Sequence, residues 1–167
     1  MAEKHEYGLM SVAFTKEEDY EATAADLPDR PISPHPNLVT PEGLAAIEAE
    51  LAAARAAYAA AQTGDVKDDR TAMARATRDL RYWSARRGSA QLVEPVSADG
   101  AVRFGGQVTV EREDGRRQTW RIVGEDEADP ARGSVSYVSP LAQAVLGRSV
   151  GDLATVAGNE LEIVEIG

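Results

Sequence analysis

The sequence predicts an α+β protein: an antiparallel hairpin of two helices over residues 40–90, then a small β-rich domain with one short helix over residues 91–167. Three observations predict it. Apolar residues recur at spacings of three and four from Leu44 to Trp83, the period of an amphipathic helix. Only a short polar stretch near 64–69 interrupts that pattern. Beyond Gln91 the texture changes to short β-branched runs broken by turn signals, as in a chain of strands.

Residues 1–39 hold no sustained apolar period, and Pro28, Pro31, Pro34 and Pro36 follow one another too closely for a helix or a central strand. We expect an acidic, largely irregular tail there. Thr40 is a good N-cap, Pro41 suits the first helical position and Glu42 favours the positive end of the helix dipole. A first helix therefore starts at this point, with Leu44, Ile47, Leu51, Ala54, Tyr58 and Ala61 as its apolar stripe. Thr63 and Gly64 end it. Asp65, Val66, Lys67, Asp68 and Asp69 make a polar turn, after which Met73, Ala76 or Thr77, Leu80, Trp83 and Arg87 mark a second stripe, stopped by Gly88. So short a connection makes the helices antiparallel neighbours. At 1.5 Å per residue, arms of about 20 residues give a hairpin roughly 30 Å long.

The strands are expected at Val102 to Phe104, Gln107 to Glu111, Gln118 to Val123, Val135 to Val138 and Leu161 to Glu165, with Asp114-Gly115 as a hairpin turn. Ser139-Pro140, then Leu141, Val145 and Leu146 closed by Gly147, reads as one short helix on the sheet.

Composition narrows the function. Cysteine is absent, which removes disulfides, thiolate metal sites and cysteine nucleophiles and suits a reducing, cytoplasmic setting. No apolar run approaches the roughly 20 residues of a membrane span. The net charge of -10 argues against general affinity for a nucleic-acid backbone. Charge is uneven, however: between Arg70 and Arg87 the arginines Arg75, Arg78, Arg81 and Arg86 face a single acid, Asp79. Such a face is either solvated or turned to phosphate.

The tip carries Asp65, Asp68 and Asp69, like charges crowded into one turn. A solvated turn explains them. The sharper reading is that carboxylate oxygens on a protruding tip complete the shell of a Mg²⁺ held partly by another molecule. Glu125, Asp126, Glu127 and Asp129 form a second acidic group, either a solvated loop or a docking edge. His5 and His35 stand without a neighbouring ligand set, and no Ser, His and Asp constellation or Gly-rich phosphate loop is present.

The segments Val102-Arg-Phe-Gly-Gly-Gln-Val-Thr-Val110 and Thr119-Trp-Arg-Ile-Val-Gly-Glu-Asp-Glu-Ala-Asp129, with Ser139-Pro-Leu141, Leu146-Gly-Arg148 and Val150-Gly-Asp152, closely resemble the C-terminal domain of the GreA/GreB family. Gly64-Asp-Val-Lys-Asp68 resembles the family's hairpin-tip motif. The resemblance implies an FKBP-like C-terminal domain that docks on the rim of RNA polymerase's secondary channel, with Glu125, Asp126, Glu127, Asp129, Ser139, Pro140 and Leu141 as docking residues. It also implies a hairpin that enters the channel, where Asp65 and Asp68, with Asp69 as a third acid, help hold the polymerase's second catalytic Mg²⁺. A backtracked polymerase then cleaves its own transcript. The basic face of Arg75, Arg78, Arg81 and Arg86 would lie near the nascent RNA 3′ end. No cofactor of the factor's own is implied, and a monomer suits insertion.

This sequence departs from the family pattern at the tip, where Glu is usual at Asp68, Asn at Asp69 and an Ala-Glu-Tyr run at Arg70 to Ala72. The arms also look about two turns shorter, a loss of about 10 Å of reach at 1.5 Å per residue. The alternative is accordingly a non-cleaving regulator that occupies the same channel and competes with cleavage factors. A prolyl isomerase would want an aromatic-lined pocket, and the C-terminal domain offers only Phe104, Trp120 and Tyr137.

Overall fold

A computed structural model describes residues 27–63, 70–96 and 99–167. In chain order its elements are strand β1 (Leu38–Val39), helix α1 (Pro41–Thr63), helix α2 (Arg70–Ser89) and strand β2 (Gln91–Leu92). Strands β3 (Gln107–Arg112) and β4 (Arg117–Val123) follow, then a 3-10 turn (Pro130–Arg132), β5 (Ser134–Ser136), helix α3 (Pro140–Val145), β6 (Leu153–Val156) and β7 (Asn159–Ile166). The mixture of helix and sheet is the expected α+β class.

Two compact units emerge. One comprises the described part of 1–32 together with 49–85; the other comprises 33–48 and 86–167. These divisions differ from boundaries at 39/40 and 90/91, because the first turns of α1 and the last turn of α2 group with the sheet.

In the first unit the expected stripe of α1 is buried at Leu51, Ala54 and Ala61, with Tyr58 half-buried. On α2, Ala76 is buried and Met73, Leu80 and Trp83 are half-buried. Residues 27–32 are irregular, as the closely spaced Pro28 and Pro31 require, yet they run against α2 through ion pairs of Asp29 and Arg30.

In the second unit β5, β4, β3, β7 and β6 form one sheet in that order. The β4–β5 pair is parallel and the other pairs are antiparallel, with a register shift in β3 between Thr109 and Val110. Alternation sends Val108 and Val110 of β3 and Leu161 and Ile163 of β7 to one face. There they meet Ala142 and Val145 of α3 and Val102, Ile122, Val135 and Ala154. Each fully buried Val, Leu or Ile is worth roughly 1.5–3 kcal/mol, against about 0–1 kcal/mol for an exposed ion pair. The apolar face therefore holds this unit.

Local signals worked where expected. The amide of Arg116 donates to Asp114 Oδ1 (3.0 Å) and Gly115 has φ +83°, so the β3–β4 turn uses the freedom only glycine has. Ser139 caps α3 by accepting from the Ala142 amide at 3.3 Å.

Three expectations are corrected. Residues Val102 to Phe104 are not a strand: only Ala101 makes an isolated bridge, to Ser149, and the chain then turns at Gly105 with φ +83°. Val102 and Phe104 still enter the core, so their apolarity reflects burial and not sheet pairing. Arg87 is not part of the α2 stripe; it is exposed and pairs with Glu48 at 3.0 Å, and Arg86 is buried instead. Finally β6, β1 and β2 form although no run was expected there. The last two are a parallel pair joining Leu38 to Gln91 and Val39 to Leu92.

Candidate functional site

The tip acids Asp65, Asp68 and Asp69 lie outside the described residues. What the structure gives is their chain position: α1 ends at Thr63 and α2 begins at Arg70. Among the described residues no group of three or more His, Asp or Glu is placed to hold a metal ion.

The arginines of α2 divide into two environments. Arg75 is exposed. Arg81 is exposed as well and donates to Asp29 Oδ1 at 3.1 Å, while Arg78 lies 3.6 Å from Asp79. Arg70, Met73, Ala74, Thr77, Arg78 and Arg81 line one side of a cleft that Leu27 and Asp29 complete. Arg30 places its guanidinium 3.8 Å above the centre of the Tyr82 ring and 3.6 Å from Asp79. A cation over an aromatic face is attracted by the ring quadrupole.

Arg86 was expected on that same basic face and is not there. Only 2% of it is exposed. Its Nε donates to Asp126 Oδ2 at 2.6 Å and its Nη2 to Asn37 Oδ1 at 2.8 Å, with Glu125 Oε2 3.9 Å away. Asn37 Nδ2 in turn donates to the Arg86 carbonyl at 2.8 Å. Helical position alone does not separate Arg86 from its exposed neighbours; the partners come from 49 residues upstream and 40 downstream.

The acidic stretch expected as a docking edge or a solvated loop is drawn into the same network. Asp126 is nearly buried beside Arg86, and Glu125 accepts from Ser33 Oγ at 2.9 Å. Glu127 accepts from Thr40 Oγ1 at 2.5 Å and lies 3.5 Å from Arg121 Nη1. Thr40 is the expected N-cap of α1, its hydroxyl accepting from the Gly43 amide at 2.9 Å. Arg121 also reaches Glu42 at 3.1 Å. Glu42's own backbone N–H and then Arg121 hold that carboxyl below the usual range. Asn37, Thr40 and Arg86 are the buried polar residues of the described chain, and all three sit in this clasp. Each has a hydrogen-bond partner, as buried polar groups require.

Two further residues of the clasp escaped the sequence. Gly124 is there because the Leu38 carbonyl passes where a side chain would be. Tyr137 donates its phenol proton to the Pro36 carbonyl, and burial followed by the nearby Glu125 charge raises its pKa. Only the excess of acid over local base in 125–129 hinted that these carboxylates needed distant partners. Asp129, by contrast, keeps a half-exposed carboxylate 3.5 Å from Arg132. Of the other expected docking residues, Ser139 caps α3, Pro140 is exposed and Leu141 leans on the core.

The family model described as "Transcription elongation factor, GreA/GreB, C-term" matches residues 97–167. A transcription elongation factor GreA of Ruegeria pomeroyi is 32% identical over 144 residues, covering 71% of this chain and 86% of its own length. One from Chloroflexus aggregans is 34% identical over 138 residues, covering 72% and 88%. The chain belongs to the GreA/GreB family. A third relative, GreA of Alkalilimnicola ehrlichii, is 47% identical, but over 85 residues that span 47% of this GreA/GreB-family chain and 54% of the relative. Among solved structures, the Gfh1 protein of Thermus thermophilus is 18% identical, with coverages of 80% and 99% and a TM-score of 0.38. The family assignment stands on the sequence relatives.

Proposed function

We propose that this chain is a transcription elongation factor that binds RNA polymerase and acts on the polymerase's active site, having no catalytic site of its own. Its two helices close as an antiparallel coiled-coil hairpin that enters the secondary channel, while an FKBP-like C-terminal domain docks on the rim. At the tip Asp65 and Asp68, with Asp69 beside them, help hold the polymerase's second catalytic Mg²⁺. A second metal held by these carboxylates would supply stabilisation of the attacking and leaving oxygens in an in-line phosphoryl displacement, the chemistry that cleavage of a backtracked transcript needs. Arg75, Arg78 and Arg81 stay as the face near the RNA 3′ end; Arg86 leaves that set because it is buried. Pro140 and the half-exposed Asp129 are the docking candidates that keep exposed surface, whereas Asp126 and Glu127 are engaged internally.

The observation that carries this reading is that relatives named as elongation factors align across both the helical and the sheet parts of the chain. The end of α1 at Thr63 and the start of α2 at Arg70 leave the acids in the link between two helices, which supports a tip role. A second reading, a non-cleaving regulator of the same channel, draws support from the tip chemistry: Asp68 is one methylene shorter than the Glu of the family motif. Helices of 23 and 20 residues reach only about 30–35 Å at 1.5 Å per residue.

Transcript cleavage by a stalled, backtracked elongation complex tests the two, using the protein beside an Asp65→Ala/Asp68→Ala variant. Faster Mg²⁺-dependent release of short 3′ fragments with the protein and not with the variant is the expected result. Binding to polymerase with cleavage unchanged or slowed would replace it with the regulator.

A further inference from the structure

The stretch Leu27-Pro-Asp-Arg-Pro-Ile32 is unlike an ordinary tail, because its two charged residues are both engaged on α2. Asp29 sets a carboxylate oxygen 3.1 Å from Arg81, a position a phosphate oxygen would take. Arg30 lays a planar guanidinium over Tyr82 at 3.8 Å, a position a nucleic-acid base would take on an aromatic platform. Tyr82 itself is braced edge-on by Trp83, with ring centres 4.9 Å apart. Leu27 and Asp29 close the cleft whose other wall carries Arg70, Arg78 and Arg81. Pro28 and Pro31 flank the pair and keep the segment out of helix.

The two ion pairs are weak alone. The Asp29–Arg81 side chains are 61% and 66% exposed, and the Arg30–Asp79 pair, 3.6 Å apart, is more than a third exposed on both sides. Exposed pairs of this kind are screened by water and salt and exchange easily. The segment thus covers an arginine and aromatic face with contacts that an incoming polyanion can outcompete.

We propose that residues 27–30 are a displaceable intramolecular cover that competes with single-stranded RNA for the Arg78, Arg81 and Tyr82 face of α2. The cover rests on the reading of that face as RNA-proximal and adds its regulation. Binding of RNA requires the uncovered form, so the apparent affinity is reduced by the fraction of molecules in which the face is open. The net charge of -10 already repels RNA; the cover adds a local, removable term.

The test is equilibrium binding of a fluorescent single-stranded oligouridine to the full chain, to Asp29→Ala/Arg30→Ala and to Arg78→Glu/Arg81→Glu, at fixed low salt. The cover variant should bind about fivefold tighter or more, and the arginine variant several-fold weaker than the unaltered chain. Equal or weaker binding by the cover variant beside a weakened arginine variant overturns the cover and leaves the RNA-facing surface standing. Unchanged binding by the arginine variant overturns both. Helical circular dichroism checks the fold; if the double variant loses helix, Asp29→Ala alone, which removes one exposed ion pair, carries the same comparison.

Discussion

Two regions of this molecule handle arginine and acid in opposite ways. In the clasp of the sheet unit, Arg86 is 2% exposed and bonded to Asp126 and Asn37, and a neighbouring carboxylate is closed by Thr40. Five residues earlier on the same helix, Arg81 meets Asp29 in the open, both side chains more than half exposed. The pair distances are similar, 2.6 Å against 3.1 Å, so geometry does not set their worth. Burial does, because a buried charge stripped of its partner has no water to turn to, whereas an exposed one does. A short ion pair in this family member is thus a structural fixture in one region and a replaceable contact in the other.

The widest gap should appear on truncation. Arg86→Ala removes the buried guanidinium that donates to Asp126 Oδ2 and Asn37 Oδ1 and should cost about 3–5 kcal/mol, read as a lower urea midpoint at unchanged slope. A loss below about 1 kcal/mol would place Arg86 in the same class as the surface pairs. Thr40→Ala should cost about 0.5–2 kcal/mol, since it removes the N-cap of α1 as well as the hydrogen bond to Glu127. Thr40→Ser keeps the hydroxyl and should recover most of it.

Alkaline titration probes the clasp through Tyr137. Its folded pKa is raised, chiefly by burial, so the unfolded chain loses the phenol proton first. The contribution to stability is complete below the ordinary tyrosine value of about 10 and is lost as pH rises through the higher folded value. Tyr137→Phe should be less stable than the parent at neutral pH and should lack that part of the alkaline loss, checked by denaturation midpoints across the range. At the small end, Arg81→Ala should change stability by about 0–1 kcal/mol. A larger loss would mean that the segment around Asp29 holds the helical unit together and is no removable cover.

Much of the fold was legible because its signals are local. Thr40, Ser139 and Asp114-Gly115 act within three residues of themselves, and the Leu51, Ala54 and Ala61 stripe follows from the helical period. β6 was not legible, since Leu-Ala-Thr-Val is too short a run to announce a strand before β7 is there to pair with it. β1 and β2 are two residues each and meet across more than 50 residues of chain. Neither has a pattern of its own.

The sequence by itself determined the α+β class, the starts of α1 and α3, the β3–β4 turn and the kinship with the GreA/GreB family, because periodicity, capping chemistry and motif order are written in consecutive residues. Which arginine is buried, that Glu125, Asp126 and Glu127 turn inward, and that Asp29 and Arg30 lie on α2 were decided only by tertiary structure. The reason is physical: a charge takes its role from the water it loses and the partner it meets, and both are brought to it by residues far away in the chain.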